Sequence, residues 1–228
     1  MTPDTKNGEA FNEPGVSGMV ADWAGDKEAF NMPWGKLMMW IFLLSDTFIF
    51  SIFLTGYMNV RMSATDAWPN PSEVFALSFG GGPPLPLLLI AIMTFVLITS
   101  SGTMALAVNF AYRGDKRKAA TLIAVTALLG ASFIGMQVFE WSKLIFHEGV
   151  RPWANPMGAA QFGSVFFMIT GFHGMHVTAG VIYLSVVARK VGRGDYDKKG
   201  YDIVEIAGLY WHFVDLVWVF IFALFYLW

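Results

Sequence analysis

Cysteine is absent from this sequence of 228 residues. Disulfide bonds, thiolate metal sites and thiol catalysis are therefore excluded. Charged residues are scarce as well, because they form only 14% of the chain, whereas hydrophobic residues form 55%. An average soluble domain carries about 25% charged residues, so the composition disfavours a soluble enzyme. The formal net charge of -2 also gives no basic surface for nucleic acid.

Long apolar stretches are the abundant feature, and the mean hydropathy of the chain is +0.51. Five stretches reach the roughly 20 residues that a helix needs to cross a hydrocarbon core. They cover residues 34–60, 84–112, 119–146, 157–189 and 204–228. We therefore predict an all-α integral membrane bundle of five transmembrane helices over residues 34–228. Residues 1–33 are polar and lack the basic-then-apolar pattern of a secretory signal, so we expect a polar N-terminal cytoplasmic tail.

The distribution of Lys and Arg predicts the orientation, because short cytoplasmic loops carry the excess of these residues. Basic residues cluster after the second and fourth stretches, at Arg113, Lys116, Arg117, Lys118, Arg189, Lys190, Arg193, Lys198 and Lys199. The loops after the first and third stretches offer only Arg61 and Arg151 near their centres. The N-terminus is thus predicted to be cytoplasmic and the C-terminus outside.

Polar side chains interrupt four of the predicted helices. They are Asp46 in the first, Gln137 and Glu140 in the third, His173 and His176 in the fourth, and Glu205, His212 and Asp215 in the fifth. Residues three apart share a helix face, and an ionisable residue at membrane depth suggests a function and a partner on another helix. The second helix holds a patch of hydroxyl residues at positions 99–103, which we interpret as helix packing.

Depth along the helices indicates which of these groups can meet. Asp46 follows the start of its helix by about 12 residues, or roughly 18 Å, which is near mid-membrane. His173 is also close to mid-span, so we expect it to meet Asp46. Glu140 lies about 21 residues along the third helix, in the outer half, and is too distant to be a close partner of His212.

Three interpretations of the histidines remain open. They can be neutral and donate a ring N–H to a carboxylate or hydroxyl on a neighbouring helix. They can form a zinc, iron or copper site with a carboxylate, although the sequence contains neither a Glu-x-x-His nor a His-x-x-x-His pair. They can also serve proton or lipid-headgroup handling. Asp46 is the best candidate for this last role, since hydrocarbon disfavours a bare carboxylate charge.

Five segments carry a family resemblance. They are Phe-Leu-Leu-Ser-Asp at 42–46, Arg-Gly-Asp-Lys-Arg at 113–117, Gly-x-x-Phe-x-x-x-Gln-x-x-Glu at 130–140, Thr-Gly-Phe-His-Gly-Met-His-Val within 163–180, and Tyr-Trp-His-Phe-Val-Asp-Leu-Val-Trp at 210–218. On these segments the chain resembles subunit III of the heme-copper terminal oxidases, in its short five-helix form. The likeness covers residues 34–228.

The resemblance implies an accessory subunit of a proton-pumping oxygen reductase in the bacterial inner membrane. Such a subunit has no catalytic residue, metal or redox centre of its own. It lies against subunit I, whose hemes and copper reduce oxygen to water, and associates with subunit II and further subunits. It binds phospholipids in a cleft, supports proton uptake and protects the enzyme during turnover. Other subunits determine whether the electron donor is cytochrome c or quinol.

The resemblance also implies roles for individual residues. Asp46 stands where many members have a membrane-buried glutamate, so its carboxyl reaches about 1.5 Å less far. Structural and lipid-cleft roles are implied for the remaining polar positions, Gln137, Glu140, His173, His176, Glu205, His212 and Asp215.

Three other functions are alternatives. One is an accessory subunit of a nitric oxide reductase. Another is a stand-alone transporter or proton channel, although the polar residues fall in separate clusters and no inverted repeat is visible between the two halves. The third is a membrane metalloenzyme that uses the histidines.

Overall fold

A computed structural model describes residues 33–76, 86–197 and 200–228. Its helices are α1 (Trp34–Ser63), α2 (Pro71–Val74), α3 (Leu88–Tyr112), α4 (Lys116–Phe146), α5 (Gln161–Arg193) and α6 (Asp202–Phe222), followed by a π-helical turn at Ala223–Leu227. Within the described ranges there is no strand, and five helices are long and apolar enough to cross a membrane, namely α1 and α3–α6. The all-α, five-helix prediction is confirmed. The predicted tail up to residue 32, the first two residues of the second predicted helix, and Lys198 and Lys199 lie outside the described residues.

The helix ends differ by a few residues from the apolar stretches, because capping groups set them. Helix α4 begins three residues before the predicted start, where the Asp115 carboxylate accepts the backbone N–H of Lys118 at 3.2 Å. That backbone hydrogen bond, with a further bond from the Lys118 side chain, lowers the pKa of Asp115. Helix α5 continues past Arg189 to Gly194, which ends the helix with a left-handed φ of 82°.

Residues Met39–Trp228 form one compact unit. Helix α4 packs against both α3 and α5, and α6 lies against α3 and α5. Trp211 of α6 is fully buried where these helices meet, and its indole N–H donates to Ser100 Oγ of α3 at 2.9 Å. The ring fits because Gly130 of α4 and Gly180 of α5 have no side chains there. This junction fixes α3, α4, α5 and α6 relative to one another.

Within the same unit, α1 reaches the other helices through its side chains. Phe50 packs on Phe172 of α5 with ring centroids 5.3 Å apart. Nearer the end of α1, Tyr57 packs on Phe225 of the π-helical turn at 4.0 Å. The Tyr57 hydroxyl also donates to the Leu224 carbonyl at 3.1 Å. These contacts place Asp46 against α5.

Candidate functional site

The predicted polar residues form separate clusters instead of one site. Asp46 lies next to His176, Gln137 next to Glu140, and His212 next to Asp215. Within the described residues, no group of three or more His, Cys, Asp or Glu side chains is arranged to hold a metal ion. The polar residues are therefore distributed over three separate contacts.

The first cluster joins α1 to α5 through Asp46 and His176. His176 Nε2 lies 3.1 Å from Asp46 Oδ2, which is ion-pair distance without the alignment of a hydrogen bond. His176 Nδ1 lies 2.9 Å from the Phe172 carbonyl oxygen, which can only accept, so Nδ1 carries a hydrogen. The expectation that His173 meets Asp46 is wrong by one helical turn. His176 is the residue whose side chain points towards α1.

This geometry sets a carboxyl group against an imidazole. With the hydrogen of Nδ1 directed to the Phe172 carbonyl, Nε2 is the ring nitrogen that faces Asp46. Around the pair, the Phe50 ring lies 5.5 Å from the His176 ring, and Asp46 is only 5% exposed. The contact thus lies in largely apolar surroundings.

His173 has a different environment from His176, although it is on the same helix. It is fully buried, stacks on Trp218 at 5.4 Å and meets the edge of Phe133 at 6.0 Å. Neither of its ring nitrogens has a hydrogen-bond partner among the described residues. The interpretation that every histidine donates to a carboxylate or hydroxyl on a neighbouring helix is therefore wrong for His173, which packs as a ring.

The second cluster lies where α4 meets the π-helical turn. Gln137 Nε2 donates to Glu140 Oε2 at 3.2 Å, and the Tyr226 hydroxyl lies 3.3 Å from Glu140 Oε1. All three side chains are buried. Tyr226 was not predicted as a member, because its position in an aromatic C-terminal run does not reveal which helix its hydroxyl faces. The cluster ties the end of the chain to α4.

The third cluster contains Ser101 of α3 as well as His212 and Asp215 of α6. The Ser101 hydroxyl donates to Asp215 Oδ2 at 2.6 Å, and His212 Nδ1 lies 3.2 Å from Ser101 Oγ. Because the hydroxyl hydrogen goes to the carboxylate, Nδ1 donates to the serine oxygen. In a hydrolytic triad the imidazole lies between serine and aspartate, whereas here the serine lies between the other two. The arrangement links helices and does not activate a nucleophile.

The structure gives Ser101 and Glu205 partners that the sequence did not indicate. Ser101 belongs to the hydroxyl patch that was interpreted as packing, and its spacing in the sequence did not reveal a partner more than a hundred positions away. Glu205, two turns before His212, instead accepts a hydrogen bond from Tyr112 at the end of α3. Glu205 is therefore separate from the His212 cluster.

An ion pair joins two segments at the end of the bundle where α4 begins and α5 ends. Lys116 Nζ lies 2.6 Å from Asp197 Oδ2, and the Tyr201 hydroxyl donates to Asp197 Oδ1 at 2.7 Å. The hydrogen bond from Lys116, followed by that from Tyr201, lowers the pKa of Asp197. The hydrogen bond between Tyr201 and Asp197 raises the pKa of Tyr201. This bridge connects the start of α4 with the segment between α5 and α6.

Comparison with known proteins identifies the family of this chain. A family model described as Cytochrome c oxidase subunit III matches residues 19–228. This chain belongs to the cytochrome c oxidase subunit III family. It is 33% identical over 197 residues to "Cytochrome c oxidase subunit 3" of Alkalihalophilus pseudofirmus, covering 84% of this chain and 85% of that protein. The resemblance that the sequence motifs indicated is confirmed.

Other relatives in the subunit III family carry quinol oxidase names. The chain is 32% identical over 189 residues to "Cytochrome bo(3) ubiquinol oxidase subunit 3" of Pseudomonas aeruginosa, with 82% of each chain covered. It is also 32% identical over 187 residues to "Quinol oxidase subunit 3" of Bacillus subtilis, covering 82% of this chain and 83% of that protein. Membership of the subunit III family makes this chain an accessory subunit of a heme-copper oxidase, with several membrane-spanning helices.

Proposed function

We propose that this chain supports the catalytic subunit I of a proton-pumping oxygen reductase and contributes no redox centre of its own. In this role it binds phospholipid, assists proton uptake and prolongs turnover in the bacterial inner membrane, with its N-terminus on the cytoplasmic side. The buried contact between Asp46 and His176 carries the proposal. It places a carboxyl group and an imidazole within ion-pair distance inside the bundle, and subunit III needs such groups if it is to influence proton uptake.

A groove between α4 and α5 supports the lipid part of the proposal. Its volume is about 650 Å³, and its walls are mainly small side chains: Ala120, Ala124, Ala127, Ala131 and Ala188, with Val181 and Ser185. Arg189 lies at the end where α4 begins and α5 ends. A guanidinium is well suited to bind a phosphate. An acyl chain in the groove would place its headgroup phosphate beside Arg189.

Copurification tests the proposed function as a whole. The chain, tagged and extracted in mild detergent, should isolate with a heme-bearing subunit I, and the complex should consume oxygen. A complex that reduces nitric oxide in preference to oxygen would assign the chain to a nitric oxide reductase. If the chain isolates alone and moves ions in liposomes, the oxidase assignment fails.

A further inference from the structure

One mid-membrane ionisable group faces the outside of the bundle. Asp46, Glu140 and His173 are buried, and the His176 side chain is only 13% exposed. His212 is instead exposed on the surface of α6. Among the described mid-span histidines and carboxylates it is the one with an exposed side chain, and therefore the one that a surrounding membrane would contact directly.

Exposed apolar side chains lie on the same helices as His212 and its partner Ser101. Leu216 and Phe220 of α6 are 55% and 53% exposed, and Ile98 of α3 is 50% exposed. We call the surface formed by Ile98, Ser101, His212, Leu216 and Phe220 the His212 face. It combines exposed apolar side chains with one imidazole.

The depth of His212 decides what can cover it. It lies ten residues after the start of α6 at Asp202, or about 15 Å along the helix, and is still farther from Leu227. A hydrocarbon core is about 30 Å thick, so His212 is near its centre. Phospholipid headgroups are too distant to reach the ring, and acyl chains have no hydrogen-bonding group. A polar side chain facing hydrocarbon without a partner costs free energy.

The polar atoms of the cluster are only partly used within this chain. His212 Nδ1 is bonded to Ser101, which in turn is bonded to Asp215 Oδ2. His212 Nε2 has no hydrogen bond to any described residue, and Asp215 Oδ1 is buried without a partner. The internal bonds fix the orientation of the imidazole ring and leave its outer nitrogen available.

We infer that the His212 face docks on a transmembrane helix of another subunit of the same oxidase complex, and that this helix presents a hydrogen-bonding side chain to His212 Nε2. The inference rests on the proposed function and adds to it the surface of attachment. Helices associate in lipid through close packing and interhelical hydrogen bonds, and the His212 face offers both. The fixed ring makes the bond selective for a partner group at one depth.

Site-specific crosslinking tests the position of the partner. Because the chain has no cysteine, Leu216→Cys can carry a single benzophenone maleimide on this chain in membranes that contain the whole complex. Met175→Cys on α5 is the matched control, since Met175 is 58% exposed and Leu216 is 55% exposed. We expect a crosslink from position 216 to another oxidase subunit, in a yield several-fold above that from position 175. Equal yields, or a product containing a second copy of this chain or lipid alone, would overturn the inference.

Three variants of His212 separate docking from internal structure. His212→Gln places its amide near the position of Nε2, His212→Asn places it near that of Nδ1, and His212→Ala removes both. We expect the alanine variant to lose several-fold more of this chain from the complex during detergent washing, the glutamine variant to restore retention in part, and the asparagine variant to fail. Rescue by asparagine equal to that by glutamine, or wild-type retention in all three, would contradict docking. If the unaltered chain does not copurify with subunit I, the failure belongs to the proposed function.

Discussion

The ring of Trp211 occupies the space that a side chain at Gly130 would need. The indole N–H donates a hydrogen bond to Ser100. The backbone of Gly180 also lies close to the ring, so that a side chain there would meet the indole. Because the ring lies among four helices, it cannot move aside without changing several contacts. The fit between Trp211 and Gly130 therefore determines how closely α4 approaches α6.

Gly130→Ala should consequently destabilise the protein. Overpacking of a buried site costs about 1–3 kcal/mol, which outweighs the gain of about 1 kcal/mol expected from replacing glycine by alanine in a helix. Gly135→Ala is the matched control on the same helix, since no atom lies within 4 Å of its added Cβ. Thermal unfolding in detergent should show a lower midpoint for the first variant and an unchanged or higher midpoint for the second. Equal midpoints would mean that the Trp211 ring relocates freely.

Asp46→Asn should leave assembly intact and impair proton-linked function. An asparagine amide can donate to His176 Nε2, so the contact between α1 and α5 survives, but the side chain at position 46 no longer has an ionisable carboxyl group. We expect slower proton uptake or a shorter turnover lifetime, measured with a pH indicator and by oxygen consumption until inactivation. Asp46→Glu restores an acid one methylene longer and should recover part of the loss. Unchanged kinetics and lifetime would reduce Asp46 to a packing residue.

The two histidines of α5 should respond oppositely to removal of their polar atoms. His173→Phe keeps the ring that stacks on Trp218 and discards two nitrogens without described partners, so the midpoint of unfolding should be unchanged or higher. His176→Phe leaves the buried Asp46 carboxyl without its partner. Leaving a buried polar group unsatisfied costs about 1–3 kcal/mol, and more for a charged group. Similar midpoints for both variants would refute the importance of the Asp46–His176 contact.

Acid should loosen the bridge between Lys116 and Asp197. Because the folded pKa of Asp197 is lowered, the bridge stabilises the fold at pH values above the ordinary carboxyl pKa of about 4. That contribution decreases as the pH falls through the lowered pKa. The protection factors for hydrogen exchange around Gly194 and Tyr201, which are corrected for the intrinsic exchange rate at each pH, should therefore decrease in acid. High salt should also decrease them. Asp197→Asn should show the faster exchange already at neutral pH, whereas Asp195→Asn, at an exposed neighbouring position, should not.

Hydropathy alone predicted the number of helices, since each span had to be long and apolar enough for a membrane. Helical spacing also placed Gln137 with Glu140 and brought His212 and Asp215 to one side of α6. Those are local relationships, which depend on the period of a single helix. They can therefore be predicted without any knowledge of tertiary contacts.

Contacts between side chains of different helices could not be predicted in the same way. A rotation of α5 by one residue position changes which side chain faces α1, so an estimate of depth could not distinguish His173 from His176. Ser101 and Tyr226 were missed because each belongs to a polar cluster only through a hydrogen bond to a residue far away in the sequence. The burial of each side chain could be known only from the fold. It is this burial that distinguishes His173, which is enclosed, from His212, which is exposed.

The bond between Tyr57 and the Leu224 carbonyl has a consequence for biosynthesis. These residues are 167 positions apart, so α1 is synthesised well before the π-helical turn. Helix α1 must therefore enter the membrane and wait there without its final neighbours while most of the chain is synthesised. During that interval Asp46 has no His176 beside it and needs a temporary partner or a proton of its own. The docking of α1 is thus expected to be a late step of maturation, completed only after the π-helical turn has left the ribosome.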